Sequence, residues 1–254
     1  MADPIDFTGP YLKAERAEDH IHELERIFWS YIRSNEKALS PNRYRDMRKR
    51  ATPIGHDFPV HTPTILGDAL HNLRAALDHA YCILVKANGG TINRYVKFPF
   101  TEKGTRQDLE GAVQGHAKDG CGPSDEIIRV IFDEIQPFLQ GSGSDLLKLH
   151  VLDIADKHLV LLPATARIVF DRVSLRDGGG VSGITITSRK NSPVLIFGAG
   201  ETLEPERQHK ATFTICFGKG QPFEGEPILP VLKGLSRRVR ETLDLLEQRA
   251  NASQ

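Results

Sequence analysis

The chain has 254 residues, of which 39% are hydrophobic and 26% charged, with 33 basic side chains balanced by 33 acidic ones. That composition fits an ordinary globular protein of one large domain or two small ones. A formal net charge of zero excludes a global pull toward nucleic acid or anionic membrane, so a partner of either kind needs a local basic patch.

Cys82, Cys121 and Cys216 are scattered and form no C-x-x-C pair, which argues for a reducing compartment and against a disulfide framework or a cysteine zinc site. The opening "MADPIDFTGPYLKAE" lacks the basic-then-apolar order of a signal peptide. No apolar run approaches the ~20 residues that span a bilayer. A soluble cytoplasmic protein is expected.

In chain order, residues 11–34 predict an amphipathic helix, with Ala14, Ala17, Ile21, Leu24, Phe28 and Tyr31 at spacings of three and four. "SPNRYRDMRKRATPIG" follows. Its Arg43, Arg45, Arg48, Lys49 and Arg50 read as a solvated edge or loop, or as a phosphate-binding strip around Tyr44. The next helix is punctuated at both ends. Thr62 is placed to cap it, Pro63 suits its first turn, and Asn88-Gly89-Gly90 ends it after about Ala87.

"YVKFPF" (95–100) is extended, because a residue before proline avoids the helical region. A weak helix is expected over 105–117, and a stronger one where Ser124 caps "DEIIRVIFDEI", with Asp125 and Glu126 at its positive end. Another should run from Ser144 to about Leu162. The pattern then changes to short β-rich runs, "RIVFDRV", "GITITS", "PVLIFG" and "ATFTICF", with a hairpin turn at "DGGG" (177–180). A small antiparallel sheet is expected over 165–220, then a final helix over about 227–249. "FGAG" and "FGKGQPFEG" lack the Lys-Ser/Thr ending of a phosphate loop and read as connections. The expected fold class is α+β: a mainly helical region over 1–163, then over 164–254 an antiparallel sheet and a closing helix that packs back, all in one domain.

The chemistry-bearing stretch is "LGDALHNLRAALDHAY", Leu66 to Tyr81. On a helix of 3.6 residues per turn, Leu66, Leu70, Leu73, Leu77 and Leu84 share one side with Ala69, Ala76 and Ala80. Asp68, His71, Asn72, Arg74, Asp78 and His79 share the other, with Ala75 and Cys82 in the gaps. That polar arc holds no Lys or Glu, so it suits a packed, hydrogen-bonded face better than a solvated one. A second segment, 144–162, clusters His150, Asp153 and Lys157 among Leu146, Leu147, Ile154 and Leu161. The two polar faces are expected to meet.

Three readings follow. The first is a buried polar seam in which neighbours satisfy every group. The second is a metal centre built from the i, i+3 pairs Asp68/His71 and His150/Asp153, as in a metal-dependent hydrolase. Against it stand the order of the second pair and the nearby Arg74 and Lys157. No metal or cofactor is expected.

The third reading rests on resemblance. Arg74, His79 and Tyr81 in "RAALDHAY" match the R-x4-H-x-Y motif and resemble the HEPN superfamily, helical proteins that include ribonucleases of bacterial toxin–antitoxin and defence systems. The wider pattern "LGDALHNLRAALDHAY", "FPF" and "LHVLDIADKH" resembles a bacterial family without an assigned function. The HEPN-like resemblance implies a metal-independent endoribonuclease acting on RNA as a homodimer. His79 would move protons, since an unperturbed imidazole titrates near 6.5. Arg74 would hold phosphate oxygens. Asp78 would pair with Arg74 at i, i+4, and Tyr81 would complete the motif. Asp68, His71, Asn72, His150, Asp153 and Lys157 would form a supporting network. The alternative is a non-enzymatic binding or structural protein.

Overall fold

The computed structural model describes residues 4–34, 61–103, 105–117, 122–158, 164–175, 180–189, 192–193, 203–204, 211–218 and 220–252. Most of these are helical. In chain order the helices are α1 (Thr8–Ser34), α2 (Thr62–Ala87), α3 (Arg106–Ala117), α4 (Asp125–Arg129, continuing as a π-helical turn over Val130–Ile135), α5 (Ser144–His158) and α6 (Ile228–Ala252). The basic strip of Arg43 to Arg50, the "DGGG" turn at 177–179, "FGAG" and Leu161 lie outside the described residues.

By its contacts the chain divides into two compact units. One is made of 1–22, 64–162 and 230–254; the other of 23–63 and 163–229. Almost all of α6 therefore groups with the helical unit rather than with the strands that precede it.

In the helical unit, the sequence periodicities become buried stripes. Ala14, Ala17 and Ile21 of α1 are buried, as are Leu66, Leu70, Leu73, Leu77 and Leu84 of α2 and Leu232, Leu235, Val239, Leu243 and Leu246 of α6. Each such leucine contributes roughly 1.5–3 kcal/mol by leaving water. Polar ties join α1 to α6. The Glu18 carboxylate accepts from Arg240 Nε and Nη2, both at 2.7 Å, and from the Ser236 hydroxyl at 2.8 Å. The Tyr11 hydroxyl lies 2.6 Å from Asp244.

Helix ends follow local chemistry in two places and depart from it in two. At the end of α2, Gly90 N–H bonds Val85 O and Gly89 N–H bonds Lys86 O, both at 2.9 Å, with Gly89 at φ 77°. That is a Schellman closure, which needs a left-handed residue that glycine adopts without strain. Ser124 caps α4, its hydroxyl oxygen accepting from Ile127 N–H at 3.5 Å. Thr62, by contrast, lies inside the first turn of α2, and its buried hydroxyl has no partner among the described residues, so it does not act as the expected cap. The stretch "DEIIRVIFDEI" is also not one regular helix. After Arg129 it widens into the π turn, which closes on Gln136 in the left-handed region (φ 53°, ψ 59°).

In the second unit, β1 (Ala164–Leu175), β2 (Gly180–Arg189), β3 (Ser192–Pro193), β4 (Leu203–Glu204) and β5 (Ala211–Phe217) pair antiparallel among the described residues. Ile168 sits opposite Ile186 of β2 on one side and Phe213 of β5 on the other. At the end of β5, Ile215, Cys216 and Phe217 are all buried, so both faces are covered there. The loop after it folds back: Phe217 N–H bonds Glu226 O at 3.0 Å, and Gly220 N–H bonds the Glu224 carboxylate at 2.8 Å. Among the described residues, the amides of Phe217, Gly218, Gly220, Glu224 and Gly225 thus bond within this stretch and its close.

Candidate functional site

The polar faces of α2 and α5 meet in the helical unit. Arg74 donates from Nε to His150 Nδ1 at 3.1 Å, and His71 Nδ1 lies 3.1 Å from Asp153 Oδ1. One turn of α5 supplies both His150 and Asp153, and one turn of α2 supplies both Arg74 and His71. The spacing i, i+3 therefore sets two cross-helix contacts at once.

Arg74 is only 3% exposed. Its Nη1 approaches Asp78 Oδ1 at 2.5 Å, four residues along the same helix. The approach is angled poorly for a hydrogen bond and acts as a contact of charges. Its guanidinium carbon stands 4.5 Å over the centre of the Phe100 ring. Phe100 in turn stacks on the His150 imidazole, at 4.7 Å and 6° between planes. Asp78 does double service, accepting Phe98 N–H at 2.7 Å. Tyr95, expected to be extended, lies instead in a turn closed by Val96 N–H on Asn93 O at 3.1 Å, and the extended run 96–100 that follows is pinned across both helices by its backbone at Phe98 and by its ring at Phe100.

A nitrogen that accepts from a guanidinium carries no proton, so His150 is neutral with its hydrogen on Nε2. Burial, and then the positive charge of Arg74, push its pKa down to about 4. Lys157 donates to the other oxygen of Asp153 at 2.7 Å. Asp153, almost fully buried, is thereby held by His71 on one side and Lys157 on the other.

The remaining residues of the polar arc go elsewhere. Asn72 bonds back to Asp68 O at 2.8 Å and receives Lys13 Nζ of α1 at 3.4 Å. Asp68 and His79 are exposed. Tyr81 is fully buried, with its ring edge-on to Phe98 at 6.3 Å and its hydroxyl unpartnered among the described residues. Burial pushes its pKa up. Arg74 and His79 therefore do not share an opening within one chain. The Arg is committed inside the seam and the His stands in solvent, as the angle between positions 74 and 79 on one helix dictates.

Sequence reasoning missed three participants. Phe100 is the ring that lies against the Arg74–His150 pair, and only the "FPF" pattern hinted at it. Gly67 allows the Asp156 carboxylate to lie directly against α2, where a β-carbon would collide with it. Asp156 itself has one oxygen buried without a partner, and its pKa is raised by burial and by the nearby Asp153 and Asp68. The four donors proposed for a metal, Asp68, His71, His150 and Asp153, do not converge. Arg74 takes the His150 nitrogen, and Lys157 and His71 take both oxygens of Asp153.

The chain matches no protein-family model, no curated protein and no solved structure. No helix among the described residues is long and apolar enough to cross a membrane.

Proposed function

We propose that this protein is a non-enzymatic binding module whose His/Asp/Arg faces form a structural seam. The observation that carries this is the commitment of Arg74: it is buried, and His150, Asp78 and Phe100 of its own chain occupy its charge and its flat face. A buried guanidinium engaged in this way is not presented to a phosphate in solvent. The fold on this reading is α+β. The antiparallel strands serve as a scaffold or partner surface without a catalytic group. The half-buried Cys82 and buried Cys216, neither in a disulfide, suit a cytoplasmic setting.

A second reading keeps the HEPN-like ribonuclease of a bacterial toxin or defence system. One observation favours it: His79 is exposed and therefore available for proton transfer. It requires Arg74 to leave the seam, or a second copy to complete the site as a homodimer. A metal-dependent hydrolase ranks third, because Arg74 occupies the His150 nitrogen, and Lys157 and His71 the two oxygens of Asp153.

A gel assay of single-stranded RNA cleavage in EDTA at pH 6–8, run beside thermal melts, separates the first two. The seam reading expects no cleavage, a lower melting temperature for Arg74→Ala and an unchanged one for His79→Ala. Cleavage by the native chain, lost in both variants while both stay folded, would establish the ribonuclease instead.

A further inference from the structure

The helical unit also holds an open groove of about 490 Å³ where α1 and α6 run together. The two helices are antiparallel: Ile5 N–H bonds the Asn251 side chain at 2.8 Å, Tyr11 meets Asp244, and Glu18 meets Arg240 and Ser236. Lys233, Arg237, Arg240 and Asp244 follow at steps of four, three and four, so they form one stripe of α6 along the groove. His22, one turn beyond Glu18, therefore comes to the Lys233–Arg237 end.

The charges of this groove are sorted along its length. Lys233, Arg237 and His22 stand at one end, and Glu241 and Asp244 toward the other. Between them Glu18 and Arg240 hold each other, so that pair cancels. Arg237 is exposed and makes no ion pair or hydrogen bond among the described residues. The acid end is equally uncompensated. Asp244 and Glu247 converge on the Tyr11 hydroxyl, at 2.6 and 2.9 Å, and that hydroxyl has one proton to give. Among the described residues no cation pairs with either carboxylate. Glu241 reaches only Arg238, 3.9 Å away. Lys233, Arg237 and Arg240 balance Glu18, Glu241 and Asp244, so the groove is neutral as a whole and polarised end to end.

We propose that this groove binds a small zwitterion of dipeptide size, with its carboxylate on Arg237 and its ammonium on Asp244. A guanidinium takes a carboxylate through two parallel bonds. An ammonium gives Asp244 the charged donor that the Tyr11 hydroxyl cannot supply. The span sets the size. Arg237 and Asp244 are two turns apart, ~10 Å along the axis, and side chains of one helix lean the same way, so their tips keep that separation. Bonds of about 2.9 Å at each end leave roughly 4–5 Å between the charged groups of the ligand. A single amino acid holds its ammonium and carboxylate closer than that, and a second residue adds about 3.5 Å of extended chain. A simple anion is drawn by Arg237 and repelled by Glu241 and Asp244, and a simple cation meets the reverse. Neither Arg74 nor His150 lines the groove. The proposal rests on the binding-module reading only in assigning binding without turnover.

An NMR titration of the full chain with L-alanyl-L-alanine tests the groove, with the N-acetylated dipeptide, its C-terminal amide and L-alanine as further arms. The dipeptide should bind roughly ten-fold or more tighter than each of the other three. Arg237→Ala should weaken the dipeptide roughly ten-fold and should not weaken the amide, which has no carboxylate to lose. Asp244→Asn should likewise weaken the dipeptide and should not weaken the acetylated form. Arg237 is exposed and Asn keeps the shape of Asp, so both variants should melt like the native chain. Arg16→Ala, elsewhere on α1, should change nothing. No binding of the dipeptide by the native chain up to roughly 10 mM, equal binding of the acetylated form, the amide or L-alanine, or indifference to both Arg237→Ala and Asp244→Asn each overturns the proposal. Alanine released from the dipeptide during the titration would instead overturn the non-enzymatic reading and leave the groove standing.

Discussion

Arg74 Nε and His150 Nδ1 stand 3.1 Å apart with the Phe100 ring flat against both. A protonated His150 would break this arrangement, since it would set a second cation against the guanidinium and remove the acceptor. The seam therefore depends on an imidazole that stays neutral.

That dependence has a sign. His150 binds its proton near pH 4 in the folded chain and near 6.5 when unfolded. Between those values the unfolded chain holds more protons, so stability falls as pH drops from about 6.5 toward 4. The groups facing it are Arg74, Lys97, Asp153 and Lys157. His150→Gln keeps an acceptor that does not titrate. Melting curves across this window should slope less for the variant than for the native chain, and equal slopes would remove His150 from the account.

Truncating the guanidinium leaves Asp78 and His150 without their partner. Arg74→Ala should cost about 2–4 kcal/mol in urea unfolding, because buried charged hydrogen bonds are expensive to leave unmade. Arg74→Lys should cost less than alanine but still lose stability, since an ammonium cannot reach His150 and Asp78 while lying flat on Phe100. A loss for Lys as large as for Ala would mean that charge contributes nothing here.

Asp156 is a penalty at neutral pH. Its raised pKa means that the ionised carboxylate, crowded by Asp153 and Asp68, opposes folding above its folded pKa. Asp156→Asn should raise the melting temperature at pH 7, with the gain shrinking in acid as the native carboxyl protonates. Gly67→Ala tests the same contact from the other helix. Alanine favours a helix by roughly 1 kcal/mol over glycine, yet here its β-carbon meets the Asp156 carboxyl. The substitution should destabilise the native chain and cost less in an Asp156→Ala background.

Between α1 and α6, Arg240 and then Ser236 hold the Glu18 carboxyl below its usual range, against the opposing effect of burial. Its contribution is present at neutral pH and lost as pH falls through the folded value. Glu18→Gln should therefore lower the melting temperature at pH 7, with the loss shrinking as acid protonates the native carboxyl. A loss that stays equal down the whole acid range would assign the effect to shape rather than charge.

The helical stripes were legible because burial periodicity is a local signal: every leucine placed on the apolar side of α2 is buried. The seam was half legible. A polar arc without Lys or Glu marked a packed face, and the i, i+4 pair of Arg74 and Asp78 followed from spacing alone. Phe100 and Gly67 were not legible, since an aromatic three residues past "VK" and a helical glycine acquire meaning only from the helix opposite. The π turn was equally hidden, because "DEIIRVIFDEI" has the periodicity of an ordinary helix and the widening is settled by the return of the chain through 136–143.

That return sets the rotational phase of α5. Gly141 and Gly143 lie so close to the carbonyls of Gln136 and Ile135 that a β-carbon at either has no room, and Gly143 N–H bonds Gln136 O at 3.2 Å. The corner is rigid, and what it hands on is an angle. Removing one residue from it while keeping α5 docked would turn that helix by about 100°, swinging Leu149 or Val151 to where His150 meets Arg74. The pairing of the two helices is thus written partly in two glycines that touch neither partner, and the corner would tolerate a changed side chain on its outer rim far better than a changed length.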